Sequence, residues 1–332
     1  MNSNRIYRYL TSIKLTIILL TAMAICFVLD TVFEAVHLIH SVPMYIMAAL
    51  FAVNLTLCTI GRTEWARKKS ALKFDLAVWG SPVLHIGLIV IMFGACLSWL
   101  IGRQTYYEIP VGEVAQFAGR SGTVDMTIDD FHVEYYEDNT SPKQYITDLV
   151  LDNRKGETVE KTVYVNAPVR YDGVTIIQQS YGFNFRVKLA TPYTSRTLEF
   201  KKEEWIPLTE ESEGSKRLGL TFYPDYDETK AMSELNSMKD DNPRLLWVLT
   251  EFGQPVAMNV LKPGEEADIT DGIRLTFEGY EHYTGLQAKY DPGVKVIFTG
   301  FIVFFVGLIL RYSTMLKKEN EKEKEKSYGY DG

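Results

Sequence analysis

Four long runs of apolar residues, almost free of charge, constrain this chain more than any other feature of its sequence. They cover residues 13–33, 43–60, 81–101 and 293–312. A bilayer core about 30 Å thick requires roughly 20 apolar residues in a helix, and each run is close to that length. The sequence therefore predicts a membrane protein that crosses the lipid bilayer with four α-helices.

Basic residues beside these runs predict the direction in which the helices cross. Lys and Arg gather on the cytoplasmic flanks of transmembrane helices. Residues 61–75 hold five of them and residues 311–318 hold three, whereas residues 30–43 hold none. We therefore expect both termini on the cytoplasmic side of the inner membrane and residues 102–292 on the extracytoplasmic side.

The predicted organisation has five parts. A cytoplasmic N-terminus (1–12) precedes three transmembrane helices within residues 13–101, and these are followed by a β-rich domain (102–292), a fourth transmembrane helix (293–312) and a charged cytoplasmic tail (313–332). The first apolar run lacks a small-x-small cleavage site, so we interpret it as a retained anchor rather than a signal peptide.

The segment between the third and fourth runs is acidic and rich in strand patterns. Residues 102–292 carry 20 Lys and Arg against 33 Asp and Glu, which argues against nucleic acid or anionic lipid as a partner of this domain. Many of its segments alternate apolar and polar residues, as half-buried strands do, and residues 153–156 supply a turn between two such arms. This predicts an antiparallel all-β domain, either a sandwich or an open barrel.

The β-rich domain offers little for catalysis by this chain alone. It contains His132 and His282 but no cysteine, GxSxG, HExxH or glycine-rich phosphate-binding motif. All three cysteines of the chain lie within the apolar runs, where a cysteine is most simply a small buried hydrophobe. We therefore do not expect the chain to be an enzyme by itself.

Several segments together resemble the ResB/CcsB proteins of System II cytochrome c maturation. Residues 163–182, VYVNAPVRYDGVTIIQQSYG, are similar to that family's VN-x-P-x-x-Y-x-G element and its following Gln-Ser-aromatic element. Three further segments also fit that family: the first apolar run, the NLTLCTIGR segment at the end of the second run, and the Asp-Pro-Gly that opens the fourth run. The residues that carry the VN-x-P-x-x-Y-x-G, Gln-Ser-aromatic and Asp-Pro-Gly elements are Asn166, Pro168, Tyr171, Gly173, Gln179, Ser180, Tyr181, Gly182, Asp291, Pro292 and Gly293.

The resemblance implies a role in moving haem across the membrane and presenting it for covalent attachment to apocytochrome c. It also implies a partner of the ResC/CcsA type, a multi-span membrane protein with a tryptophan-rich haem-binding motif. The five tryptophans of this chain are isolated along the sequence. We therefore expect the active species to be a complex of which this chain is one half.

His85 is the one histidine well inside an apolar run. An ionisable side chain within a span is costly and usually faces a partner or a cavity. Because the third run starts at the predicted cytoplasmic face, we expect His85 in the inner-leaflet half, about one helical turn from the interface. The resemblance implies that it is an axial ligand of haem b held transiently with the partner; the alternative is an interfacial histidine bonded to a backbone carbonyl.

Two weaker features remain. His37 and His40 lie three residues apart in the first connector and would share a face of a helix, either as a metal or haem pair or as ordinary interfacial histidines. Gly87 and Gly94 are seven residues apart and predict a surface for close helix packing, with the partner as one candidate for it.

Two other functions stay open at this point. One is a membrane-anchored scaffold whose outer β-domain binds a protein or a small ligand. The other, less favoured, is a membrane cytochrome subunit, which needs two facing histidines within the spans to hold haem in one chain. Only His85 lies well inside a span.

Overall fold

The chain forms one helical unit and one β-rich unit. The computed structural model describes residues 3–33, 37–39, 41–70, 76–136, 141–201, 203–208, 216–235, 237–270 and 272–328. Residues 1–102 and 291–332 make up the helical unit, and residues 103–290 make up the β-rich unit. The β-rich unit is therefore an insertion between the third and fourth spans.

Five helices are described in the helical unit. They are α1 (Ser3–Leu10), α2 (Ile13–Val32), α3 (Val42–Ser70), α4 (Gly80–Ile101) and α5 (Gly293–Tyr328). The last four are long and apolar enough to cross a membrane, which confirms the four spans predicted from the sequence. The short helix α1 was not predicted, and α3 continues as one helix through residues 61–70, which the sequence analysis had assigned to a connector.

Helices α4 and α5 pack closely because small residues line both contact surfaces. The contact uses glycines spaced seven residues apart: Gly80, Gly87 and Gly94 on α4, and Gly293, Gly300 and Gly307 on α5. A methyl group at Gly87 would lie 2.5 Å from the backbone nitrogen of Phe304, and one at Gly300 would lie 2.7 Å from the backbone nitrogen of Ile91. The packing surface predicted at Gly87 and Gly94 is thus occupied by α5 of the same chain.

The β-rich unit contains fourteen described strands in three antiparallel sheets. The strands are β1 (Arg103–Pro110), β2 (Val114–Ala118), β3 (Thr123–Tyr135), β4 (Pro142–Asp152), β5 (Thr158–Tyr164), β6 (Val169–Tyr171), β7 (Val174–Ala190), β8 (Ser195–Phe200), β9 (Glu204–Pro207), β10 (Lys216–Tyr223), β11 (Arg244–Glu251), β12 (Gln254–Leu261), β13 (Glu266–Thr270) and β14 (Ile273–Tyr290). The hairpin predicted around residues 153–156 is confirmed as β4 and β5.

Two sandwiches share the long strands β7 and β14. The first packs β1, β6 and one half of β7 and β14 against the sheet β2-β3-β4-β5, around a core that includes Met126, Leu149 and Ile176. The second packs β8, β13 and the other half against the sheet β9-β10-β11-β12, around a core that includes Phe185 and Leu220. This open arrangement confirms the predicted antiparallel sandwich class.

The two cores meet at a segment that we call the waist, defined as residues 180–184 of β7 and 280–284 of β14. The imidazole of His282 lies there, with ring centroids 4.6 Å from Phe183 and 5.9 Å from Phe131. Its Nε2 is 3.5 Å from a carboxylate oxygen of Asp240, which also accepts a hydrogen bond from the Tyr280 hydroxyl. Asp240 thus ties the polar segment that precedes β11 to the waist.

The glycine contact between α4 and α5 gives the first prediction. Gly87→Ala forces a methyl group against the backbone of α5, and overpacking of this kind costs about 1–3 kcal/mol. We expect a lower thermal stability of the full chain in detergent, measured by loss of its monodisperse peak after heating. Gly61→Ala on α3 is the matched control, since a methyl group there meets nothing within 4 Å and alanine favours a helix over glycine. Equal melting temperatures for the two variants would contradict this packing.

Burial of His282 gives the second prediction. Burial lowers the pKa of His282 below its ordinary value, and the nearby Asp240 carboxylate offsets only part of that effect. The stability contributed by the neutral imidazole is therefore complete above the ordinary histidine pKa of about 6.5 and is lost as the pH falls through the lowered folded-state pKa.

We expect the unfolding transition of the full chain, followed by tryptophan fluorescence, to shift to lower temperature between about pH 7 and pH 5. His282→Gln should reduce this shift, because glutamine does not titrate. His132→Gln, which alters a half-exposed side chain on β3, should leave it unchanged. A shift of the same size in His282→Gln would assign the pH dependence to other groups.

Candidate functional site

A groove in the helical unit brings together residues from all three of the N-terminal helices and His85. Its volume is about 570 Å³, within the range of roughly 300–1,000 Å³ that is typical of small-molecule and cofactor sites. The groove is lined by Tyr7, Thr11, Ile13, Thr16, Asn54, Leu55, Leu57, Cys58, Gly61, Arg62 and His85. Its wall is thus mostly apolar, with a few polar groups and one cation.

One wall of the groove is fixed by a hydrogen-bonded elbow between α1 and α2. Ser12 caps α2 by accepting a hydrogen bond from the backbone N–H of Leu15. Asn54 of α3 is only 1% exposed; its amide donates to the carbonyl of Leu10, and its Oδ1 accepts a 2.7 Å hydrogen bond from the Thr16 hydroxyl. A buried amide satisfied on both sides anchors the elbow to α3.

The next groove residue on the same face of α3 is Cys58. Its thiol is 3.5 Å from the carbonyl oxygen of Thr11. Asn54, Cys58 and Arg62 are spaced four residues apart, so they lie on one face of the helix. The NLTLCTIGR segment, which the sequence analysis noted only as part of a resemblance, thereby supplies one side of the groove.

His85 faces this wall from α4. Its Nδ1 lies 2.7 Å from the carbonyl oxygen of Ser81, one turn earlier in the same helix. A carbonyl oxygen can only accept, so Nδ1 carries the proton and the neutral ring keeps its lone pair on Nε2. Histidines that bind metals are usually held in this way, with one ring nitrogen donating to a carbonyl or carboxylate. The hydrogen bond to a backbone carbonyl that is expected of an ordinary interfacial histidine is therefore present. The same hydrogen bond is compatible with His85 acting as a metal ligand through Nε2.

A haem group fits the chemistry of this groove. Nε2 of His85 can bind an iron atom, the leucine and isoleucine side chains can contact a porphyrin face, and Arg62 can pair with a carboxylate. Among the residues that the structure describes, Arg62 makes no ion pair of its own. The groove therefore offers the three kinds of contact that an amphipathic iron porphyrin requires.

A second groove between α3 and α4 lacks such chemistry. It has a volume of about 680 Å³ and is bounded by the ring pair Tyr45 and Trp99, whose centroids are 5.5 Å apart. Alanines of α3 and aliphatic residues of α4 make up most of its lining, and none of its lining residues is charged. It contains no nitrogen ligand for a metal.

The second predicted histidine site is described only in part. His37 is exposed in the connector after α2, where Asp30 accepts a hydrogen bond from the backbone N–H of Ile39. His40 lies outside the described residues, so the predicted pair stays a prediction. Within the described parts of the chain, no cluster of three or more His, Cys, Asp or Glu is placed to hold a metal ion.

The first motif in the β-rich unit forms a structural corner of the first sandwich. Asn166 has a positive φ of 65° in the turn between β5 and β6, a conformation that asparagine tolerates better than most residues. Asp172 and Gly173 both have positive φ in the two-residue turn between β6 and β7, as a type I′ hairpin turn requires. Pro168 precedes β6, and Tyr171 is buried in the core with its hydroxyl bonded to the carbonyl of Glu157.

The Asp172 carboxylate ties this corner to the turn between β2 and β3. It accepts hydrogen bonds from the backbone N–H and the hydroxyl of Ser121, at 2.8 and 2.6 Å. These bonds, with the nearby Lys155 and Arg120 charges, outweigh burial and lower the pKa of the carboxyl below its ordinary value. The VN-x-P-x-x-Y-x-G element is thus explained by backbone geometry and packing.

The Gln-Ser-aromatic element leads into the waist. Gln179 is exposed and bonds Gln287 across the sheet, whereas the Ser180 hydroxyl is bonded to that of Tyr106. Tyr181 packs on Phe131, with ring centroids 5.6 Å apart. Gly182 has no room for a side chain, because a methyl group there would strike the ring of Tyr283.

The Asp-Pro-Gly element closes the contact between α4 and α5. Asp291 accepts a 2.6 Å hydrogen bond from the Ser98 hydroxyl. Pro292 leads into α5, and Gly293 approaches the backbone of α4 so closely that a methyl group would overlap it. The motif residues therefore have structural explanations, whereas the groove residues combine the chemistry of a ligand site.

Sequence reasoning missed the contribution of α1 and of the elbow to the groove. Tyr7 and Thr11 come from residues 1–12, which the sequence analysis described only as a cytoplasmic N-terminus, and Thr16 comes from the first apolar run. The spacing of Arg5 and Arg8 among apolar residues is a helical pattern that could have indicated α1. The hydrogen bonds to Asn54 join residues 38 and 44 positions apart, and no local pattern reports such contacts.

Comparisons with known proteins agree with the resemblance. A model of the ResB-like family matches residues 68–222. The cytochrome c biogenesis protein Ccs1 of Rhodomonas salina is 27% identical over 70% of this chain and 53% of its own length. The cytochrome c biogenesis protein CcsB of Thermosynechococcus vestitus is 27% identical over 75% of this chain and 56% of its own length. The chain thus spans about half the length of the curated relatives it matches.

One solved structure, titled cytochrome c heme lyase CcmF, is similar at a TM-score of 0.32 and 13% identity, over 88% of this chain and 34% of that chain. A similarity this low supports no argument about fold or function. The match of residues 68–222 to the ResB-like family model, together with the Ccs1 and CcsB relatives that match about 70% of the chain, supports membership of the ResB-like family.

Proposed function

We propose that this protein is the haem-handling subunit of a membrane complex that matures c-type cytochromes. Its relatives bear the name cytochrome c biogenesis protein. The single observation that carries the proposal for this chain is His85, which lines an apolar groove with Nδ1 bonded to a carbonyl and Nε2 available to an iron atom. Haem is cargo in this scheme, bound transiently and passed on.

The proposal requires a second protein. Within the described helical unit, His85 is the only histidine that lies inside a membrane-spanning helix. It supplies one axial ligand, and a six-coordinate haem takes its other ligand from elsewhere. A multi-span partner of the ResC/CcsA type fits this need, and apocytochrome c is the acceptor of the haem. A membrane cytochrome that holds haem within one chain is disfavoured for the same reason.

The orientation completes the proposed path. Lys and Arg beside the spans predict that both termini and the start of α4 are cytoplasmic. His85 then lies in the inner-leaflet half, where it receives haem from the cytoplasmic side. The β-rich unit lies on the extracytoplasmic side, where c-type cytochromes receive their haem in this scheme. In this scheme it binds and positions a protein.

The third prediction tests the proposal at His85. The full chain, co-expressed and purified with its multi-span partner, should carry b-type haem with a histidine-ligated absorption spectrum. His85→Ala should remove most of that haem and reduce maturation of a reporter c-type cytochrome, because the iron loses an axial nitrogen. Added imidazole should restore part of the spectrum, since it replaces the missing ring.

His132→Ala is the matched control, because it removes an exposed imidazole on β3 rather than one in the groove. This variant should keep both the haem and the maturation activity. Normal haem content and normal maturation in His85→Ala would refute the assignment of the ligand. A complex that matures no cytochrome and co-purifies with an unrelated protein would favour the scaffold instead.

A further inference from the structure

The groove that contains His85 also contains a cation, Arg62, that has no ion-pair partner among the described residues. Arg62 lines it from α3, about 12 Å along the helix from Asn54 at a rise of about 1.5 Å per residue. Its side chain is exposed, and the described residues offer it no carboxylate within ion-pair distance. The three other basic residues described on α3, Arg67, Lys68 and Lys69, do not line the groove.

Arg62 lies just beyond the apolar part of α3. The sequence places it two residues beyond the uncharged run that ends at residue 60, so it lies where α3 leaves the apolar region. A long cationic side chain at such a position extends towards the polar boundary of the membrane. The planar guanidinium matches carboxylates in a bidentate geometry that a lysine does not reproduce.

The lining of the groove thus combines three kinds of chemistry. His85 offers a ring nitrogen, Leu55 and Leu57 offer apolar contact, and Arg62 offers a positive charge. A ligand that matches all three has a metal centre, a flat apolar body and acidic groups on one side.

We propose that Arg62 binds a propionate carboxylate of haem and so selects the acidic edge of the porphyrin for the water-facing end of the groove. This inference rests on the proposed function and adds a specificity-determining residue to it. Arg62 recognises the cargo, whereas His85 binds its iron. Together they fix which edge of the haem enters the membrane first.

The fourth prediction compares haem with its dimethyl ester, whose carboxylates carry no charge. The full chain, purified with its partner and stripped of haem, should bind haem about tenfold or more tightly than the ester, as expected for a charge-assisted bidentate pair. Arg62→Gln should lower the affinity for haem to that for the ester. Arg62→Lys should keep part of the preference for haem, since lysine keeps the positive charge but cannot form the bidentate pair.

Arg67→Gln is the matched control, because it removes one positive charge from the same helix outside the groove. It should leave the preference for haem unchanged. The absorption spectrum supplies an independent readout, since Arg62→Gln should keep the histidine-ligated bands at saturating haem while His85→Ala loses them. Each variant should first show the elution profile of the unmodified complex.

The outcomes separate this inference from the function on which it depends. Equal affinities of Arg62→Gln and the unmodified protein for haem, with normal spectra, would overturn the role of Arg62 and leave the proposed function intact. Failure of the unmodified complex to bind either porphyrin would overturn both. Loss of a co-purified anionic lipid from Arg62→Gln, with an unchanged preference for haem, would assign the guanidinium to a lipid phosphate and overturn the inference.

Discussion

The close contact between α4 and α5 is the constraint on which the helical unit depends. Apolar side chains gain little by leaving lipid for another helix, so helices in a bilayer associate through close packing and hydrogen bonds. Glycines every seven residues on both helices meet that requirement, and the bond from Ser98 to Asp291 closes one end of the contact. With α4 fixed in this way, the face that carries His85 has a defined position relative to α2 and α3.

The groove results from a second constraint, the need to satisfy buried polar groups where α1 turns into α2. Asn54 accepts and donates at that elbow, and the elbow in turn forms a wall opposite His85. The imidazole is oriented by its own helix, through the Ser81 carbonyl, rather than by a neighbouring helix. Ligand geometry and helix packing are therefore set by different residues, so a change in one need not disturb the other.

Much of the architecture could be predicted from the sequence. Charge-free runs predict the spans, because the thickness of the bilayer sets the length of a membrane helix. Alternation of apolar and polar residues predicts the strands, because successive side chains of a strand point to opposite faces of a half-buried sheet. The hairpin turn at Asp172 and Gly173 depends on local backbone conformation, since both residues have a positive φ. The division of the β-rich unit into two sandwiches was not predicted, because it depends on how strands far apart in sequence pair.

Of the residues that line the candidate groove, the sequence analysis singled out only His85 as a ligand. A histidine within an apolar run is conspicuous, whereas Asn54, Cys58 and Arg62 gain meaning only once α3 is placed against the elbow and α4. Several residues of the family motifs proved to serve turns and close packing. A motif that identifies a family thus need not mark the place where its chemistry occurs.

The long strands β7 and β14 contribute side chains to both cores of the β-rich unit. Strand β7 supplies Ile176 to one core and Phe185 to the other, and β14 supplies Leu286 and Phe277 in the same way. Each half has an outer sheet of its own, β2-β3-β4-β5 or β9-β10-β11-β12, but the sheet that packs against it is shared with the other half. The two cores are therefore coupled through the backbones of β7 and β14, and we expect them to unfold together rather than one at a time.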